Sequence, residues 1–194
     1  MIIGISGKKT VGKDYIGNLI SAETGMSISK FAAPVYEYAY LVMEGTREEL
    51  RVRISKDGYI TNVELDAAEL SEFIFDQYHS IADLTTLENG KPRKLLQFIG
   101  TDVFRQQIDT NYWVKLAAKR DNVIFTDVRF PNEAAICDVN LRLIGGDETD
   151  NHESEKLNFH YDYFIDNTEK SPGRAKLFVE SFLGWVQRKG YTWN

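Results

Sequence analysis

The residues Gly7 to Asp14, GKKTVGKD, combine permissive backbone with concentrated positive charge. Gly7 and Gly12 allow backbone angles that side chains disfavour, so successive N–H groups can curl around a phosphate. A helix beginning near Lys13 adds its positive end, and the Lys13 ammonium can reach the β- and γ-phosphates of a nucleotide. The usual form of this loop, G-x-x-x-x-G-K-(S/T), ends in a hydroxyl that helps to hold magnesium. Here the position is Asp14. A carboxylate can replace the hydroxyl as an oxygen donor to Mg2+, directly or through water. It can equally charge-match the helix N-terminus, and the residues alone leave both roles open.

A second carboxylate, Asp127, closes the run VIFTD. Ligands of α/β folds sit outside the carboxyl ends of the strands, so an Asp there is placed to serve magnesium; it can also simply cap the next turn. Arg129 and Glu133, which follow, lie beside the same cleft if the strand is central. Arg93, Arg105 and Arg129 each stand at a helix start, on a helix face or in a post-strand turn, not in a charge run. Phosphoryl transfer needs cations around the oxygens where charge develops, and guanidinium groups supply them bidentately.

These residues need a scaffold, and the hydrophobic pattern specifies one. Met1–Ile5 reads as a buried strand, and a helix follows from about Lys13 to Ala22. Met26–Phe31 is a short strand, and a helix spans about Pro34 to Met43. The stretch RVRISKDGYITNVEL has two alternating runs around Asp57-Gly58, which predicts an inserted β-hairpin. Asp66–Tyr78 reads as helical, within an insertion at about 46–90. Pro92 suits the first turn of a helix carrying RKLLQFIGTDVFRQQI, and Asn111 starts another with Trp113, Leu116 and Ala117 on one face. Val123–Phe125 is apolar and β-branched or aromatic, as expected of a central parallel strand. Pro131 starts a further helix, NLRLIGG and YFID are strands, and Pro172–Lys189 is a closing amphipathic helix. Strands alternating with helices imply an α/β sandwich around a mostly parallel sheet.

With these segments in place, the chain resembles the bacteriophage deoxynucleoside monophosphate kinases, relatives of the nucleoside monophosphate kinases. The matching stretches are GISGKKTVGKD, SKFAAP, PRKLLQFIGTDVFRQ with the later Trp113, VIFTDVRFPNEA, and HESE followed by YFIDN. They run in the family's order, and the Gly-Lys-Asp ending is the family's own form of the loop. The resemblance implies a three-layer α/β/α P-loop NTPase fold in one domain over residues 1–194, with a lid-like segment at about 145–160. It also implies the roles of individual residues. Gly12, Lys13, Asp14 and Tyr15 would bind the phosphates of ATP, and Asp14 and Asp127 would hold Mg2+. Lys13, Arg105 and Arg129 would stabilise the transferring phosphoryl group. Lys9, Arg93, Trp113, Arg129 and Glu133 would bind the acceptor monophosphate, Trp113 by stacking on its base unless it is core. His152 and Glu155, in HESE, would order a loop near the site. Related kinases carry arginines in the lid, whereas this segment has none and is acidic, so closure would draw positive charge from Arg129 or Arg142.

The whole-chain properties agree with a small-molecule enzyme. A length of 194 residues suffices for a substantial core, and a net charge of -6 argues against a general nucleic-acid binder. The single Cys137 precludes an intrachain disulfide, which suits a reducing cytoplasm. No apolar run approaches the ~20 residues of a membrane span. Expected ligands are therefore small nucleotides, with no nucleic acid and no membrane. Family members are commonly homodimeric, although no apolar stripe marks an interface. Two other classes share part of the pattern. Phosphomevalonate and dephospho-coenzyme A kinases have a similar loop or layout, but DVRFPNE favours the phage family. A non-catalytic nucleotide-binding module has no need of three arginines and a second loop lysine, Lys9.

Overall fold

A computed structural model describes residues 1–58, 66–88, 90–146 and 158–193. The strands are β1 (Ile2–Gly7), β2 (Ser27–Ser29), β3 (Val123–Phe125), β4 (Val139–Ile144) and β5 (Tyr163–Asp166). The helices are α1 (Lys13–Thr24), α2 (Ala33–Glu44), α3 (Arg47–Asp57), α4 (Ala67–Ser80) and α5 (Arg93–Gln97), followed by α6 (Tyr112–Ala117), α7 (Pro131–Ala134) and α8 (Pro172–Arg188). Contacts divide the chain into two compact units, Met1–Phe31 with Ala117–Asn194, and Ala32–Leu116.

The first unit is a five-stranded sheet in the order β2-β3-β1-β4-β5, parallel at every pairing. A parallel sheet must be covered on both faces, and the alternation along β1 shows how. Ile3 and Ile5 point to one face, where they pack with Ile16 and Ile20 of α1 and Val179, Phe182 and Val186 of α8. The opposite face is covered by Phe31, Phe125, Val128, Ala117 at the end of α6 and Ala134 of α7. This is the three-layer α/β/α P-loop NTPase arrangement. The sheet order reverses direction at β1, which has β3 on one side and β4 on the other. The carboxyl end of β1 is thus a topological switch point, where such sheets bind ligands.

The second unit is helical, with a core of Tyr38, Leu50, Ile54, Ile74, Ile99, Phe104, Tyr112 and Trp113 among others. The segment expected as an insertion at about 46–90 lies inside it. The expected β-hairpin is not formed: its first run is α3. Thr46 caps that helix, accepting the Glu49 N–H, while the Glu49 carboxylate accepts the Thr46 N–H, a reciprocal capping box. Leu50 and Ile54 are buried one turn apart. Gly58 then takes the left-handed conformation and donates to the Ile54 carbonyl, closing the helix. Asp-Gly serves helix ends as well as hairpins, and the capping box decides between them. The second run of the expected hairpin lies outside the described residues.

The helix expected from Pro92 also differs. Only Arg93–Gln97 is α-helical; Phe98–Ile108 is wound more loosely, as a π-helix, and the Asp109 N–H closes on the Phe104 carbonyl five residues back. Within this stretch the Gly100 carbonyl accepts the Trp113 indole N–H at 2.8 Å. A tertiary bond thereby competes for a carbonyl that an α-helix would use locally; π-helical turns are rare and frequently occur at functional sites. A charged network is buried nearby. Asp57 is paired with Arg53 and hydrogen-bonded by the Tyr38 hydroxyl, which is itself 3.0 Å from the Tyr112 hydroxyl.

Candidate functional site

The chain leaves β1 at Gly7 and turns into α1 through a loop with two left-handed residues, Thr10 (φ 65°) and Gly12 (φ 94°). Val11 between them is fully buried, which pins the loop to the core beneath it. Gly12 is the residue before the first helical turn, whose leading N–H groups have no partner within the helix. Lys13 Nζ donates to the carbonyls of Gly7 (2.6 Å) and Lys8 (3.0 Å). The ammonium is folded over the loop, and phosphate oxygens are alternative acceptors for the same donors. Lys9 is exposed at the loop's apex, and Tyr15, in the first turn of α1, is half exposed.

Asp14 is the residue most informatively placed. Its Oδ1 accepts the Thr126 hydroxyl at 2.6 Å and its Oδ2 the Lys30 ammonium at 3.2 Å, with the side chain 64% exposed. Partial burial alone would raise its pKa. The Thr126 hydroxyl and the Lys30 and Lys13 ammonium groups outweigh that effect and hold the carboxyl below its ordinary value. Asp14 is therefore an ionised oxygen donor over the neutral range, oriented by a residue at the end of β3. Asp127, next to Thr126, accepts the Phe31 N–H at 2.8 Å. Asp14 is thus bonded to the carboxyl end of β3, the strand beside β1, and Asp127 follows in the same segment.

Beyond Asp127, Arg129 is exposed. Glu133 was expected on the acceptor sugar or base. It is instead 3% exposed, and its Oε2 accepts the N–H groups of Arg129 (2.8 Å) and Phe130 (3.3 Å). The carboxylate thus takes both N–H groups of the turn that presents Arg129.

Arg93, Arg105 and Trp113 belong to the second unit. Arg93 opens α5, exposed, with Nε 3.8 Å from Glu88. Arg105 is half-buried in the π-helical stretch. Trp113, expected either to stack on the acceptor base or to be core, is 2% exposed; its indole N–H donates to Gly100, and its ring packs against Tyr38, Phe104 and Tyr112. It is a core residue. His152, Glu155 and most of the lid-like segment lie outside the described residues. Arg142, a candidate source of charge for closure, lies over the Tyr161 ring, 5.4 Å from its centroid.

Three residues of the site carried no predicted role: Thr126 and Lys30, which hold Asp14, and Asn167, whose Nδ2 donates to the Val11 carbonyl of the loop at 2.7 Å. All three lie in segments whose types are recognisable, VIFTD, SKFAAP and YFIDN. Nothing in the spacing reveals which loop atom each would meet.

Comparison with known proteins adds an independent line. A family model described as deoxynucleotide monophosphate kinase matches residues 51–156. That range includes Arg93, Arg105, Asp127, Arg129 and Glu133 but not the loop after β1, whose reading rests on its own geometry. The chain is also 27% identical, over 177 aligned residues, to the deoxynucleoside-5'-monophosphate kinase of Escherichia phage T5, with 70% of this chain and 71% of that protein covered.

Proposed function

Because the chain belongs to the deoxynucleotide monophosphate kinase family, we propose that it transfers the γ-phosphoryl group of ATP to the 5′-phosphate of a deoxynucleoside monophosphate, giving the diphosphate. The observation that carries this reading is the loop after β1, where left-handed turns, a folded-back Lys13 and the oriented Asp14 converge at the sheet's switch point. The acceptor phosphate is already ionised near neutral pH, so no strong general base is required, and catalysis reduces to positioning and charge neutralisation.

In this reading Gly12, Lys13, Asp14 and Tyr15 bind the ATP phosphates. Lys13 exchanges its carbonyl partners for phosphate oxygens. Lys9, Arg93, Arg105 and Arg129 neutralise the acceptor and the transferring group. Mg2+ characteristically takes one or two carboxylates, with phosphate oxygens and water completing its shell. Asp14 and Asp127 fit that demand, and among the described residues no cluster of three or more His, Cys, Asp or Glu side chains would suit a different metal. Bound there, Mg2+ would offset charge on the β- and γ-oxygens. Family members are commonly dimeric, and sedimentation of the purified protein tests whether this chain pairs as well; the resemblance also points to the host cytoplasm.

The deciding experiment is phosphoryl transfer from labelled ATP with Mg2+ to the four common deoxynucleoside monophosphates, their ribose counterparts and mevalonate 5-phosphate. Diphosphate from one or more deoxynucleotides, with little from AMP or mevalonate phosphate, is expected. Lys13→Met should lower that rate by roughly a hundredfold or more with its far-UV dichroism unchanged. Absence of transfer to every acceptor, with ATP still bound, would overturn the reading.

A further inference from the structure

The loop after β1 is held from its outer side by the chain that follows β4 and β5. A Cβ added at Gly146, two residues past β4, would lie 2.6 Å from the Lys9 carbonyl oxygen and 3.2 Å from the Val11 nitrogen, so bare backbone abuts the loop there. Asn167, the residue after β5, adds a side chain. It is 5% exposed, and its own backbone is fixed at both ends: its N–H donates to Ile144 at 3.1 Å and its carbonyl accepts from Lys170 at 3.2 Å. From that anchored position Nδ2 donates to the Val11 carbonyl at 2.7 Å. We propose that Asn167 is a positioning residue for the loop: by holding the Val11 carbonyl it fixes which way the Gly12 N–H points.

The step follows from peptide geometry. The Val11–Gly12 unit is planar and trans, so its C=O and N–H point in opposite directions. A carbonyl held toward Asn167 leaves the Gly12 N–H facing away from it. No acceptor among the described residues takes that N–H. It joins the leading N–H groups of α1, which have no partner within the helix, the arrangement that receives an anion at a helix start. Gly12 is the position most prone to lose this orientation. It sits at φ 94°, and without a side chain its flanking peptides can rotate at little cost. The fit is close as well, since a Cβ at Gly12 would lie 2.9 Å from Asn167 Nδ2. Asn167 thus supplies from a distant strand the rigidity that Gly12 lacks. The donors that meet ATP are pre-aimed, and no aiming cost falls on binding.

The inference rests on the reading of this loop as the ATP-phosphate site, and the two can fail separately. Asn167→Leu keeps the volume and removes the donor; Asn167→Asp keeps the shape and replaces the donor with an acceptor. Both variants, with Val179→Ala as a control for lost core packing in the same unit, would be assayed for transfer and titrated with ATP. For the Asn167 variants we expect KM and Kd for ATP to rise by about tenfold or more, with KM for the deoxynucleotide changed less than twofold. Val179→Ala should lower the melting temperature while leaving KM for ATP at the wild-type value. Wild-type KM and Kd for ATP in a folded Asn167 variant would overturn the inference, as would equal shifts for both substrates. Should Asn167→Leu fail to fold, Asn167→Asp decides alone. A wild-type protein that binds ATP but transfers nothing would defeat the kinase reading, and the ATP titrations would still test Asn167.

Discussion

Asp14 and Thr126 form one device at the scale of single residues. The carboxylate stands where related loops have a hydroxyl, and the hydroxyl has moved to the end of β3, 2.6 Å away. Thr126 is buried and Asp14 exposed, so the bond runs from a fixed donor to a side chain that would otherwise sample several rotamers. Thr126→Val removes that bond at constant shape. If the carboxylate serves Mg2+, half-saturation by Mg2+ should rise by about 10–100-fold, the usual penalty for losing a partner that orients a metal ligand. The pH dependence separates orientation from charge. The folded-state pKa of Asp14 is lowered, so its contribution to stability is fully present above the ordinary carboxylate value and lost as pH falls through the folded value. The group is ionised at pH 6–8 with or without Thr126. The ratio of variant to wild-type Mg2+ affinity should therefore be flat across that range. A ratio that changes steeply between pH 6 and 8 would mean that Thr126 acts through protonation of the carboxylate and not through its position.

At the scale of elements, the second unit separates what periodicity can specify from what it cannot. The five strands, α1, α2, α4 and α8 follow from local patterns, since runs such as VIF and the apolar stripe of α8 admit one reading each. The loop after β1 was equally legible, because glycine, lysine and carboxylate spacing is local. The region around Asp57-Gly58 was not, because Asp-Gly ends helices and turns hairpins alike, and the arbiter was the Thr46–Glu49 pair upstream. Trp113 is the more instructive case. An aromatic at helical spacing can stack on a ligand or fill a core, and the difference was decided by a tertiary bond to Gly100. That bond links α6 to the π-helical stretch that carries Arg105. Trp113→Phe deletes the donor, leaves the buried Gly100 carbonyl without this partner and removes part of a packed aromatic cluster. Loss of about 2 kcal/mol of stability is expected from the cavity and the lost hydrogen bond together, read by chemical denaturation. Base preference among the deoxynucleotides should stay as in wild type. A variant of undiminished stability whose preference among bases shifts would return Trp113 to the ligand.

At the scale of the whole molecule, the one cysteine offers a test of how far nucleotide binding reaches. Cys137 follows α7, and its thiol donates to the Glu133 carbonyl at 3.4 Å. A Cβ placed on Gly4 would lie 2.7 Å from the sulfur, so Cys137 packs directly on the backbone of β1. Burial, reinforced by Glu133 and Asp138, pushes the thiol up to about 12. Little of it is then thiolate at pH 8, so the closed form reacts slowly with thiol reagents. The faster route to labelling is an open form in which the turn after α7 has left β1, since in the closed form Cys137 is only partly exposed. The same strand ends in the loop proposed to hold ATP. If the opening that frees Cys137 also dissolves that loop, ATP binds only the closed form, and the open population falls by the factor 1 + [ATP]/Kd. At a hundred times Kd, labelling through the open form should slow by about a hundredfold, so that the rate falls with ATP concentration toward that of the closed form. A labelling rate indifferent to ATP would mean that the turn after α7 opens while the loop stays formed. Because β1 carries the sulfur contact on one face and the loop at its end, the coupled outcome is the one that the sheet predicts.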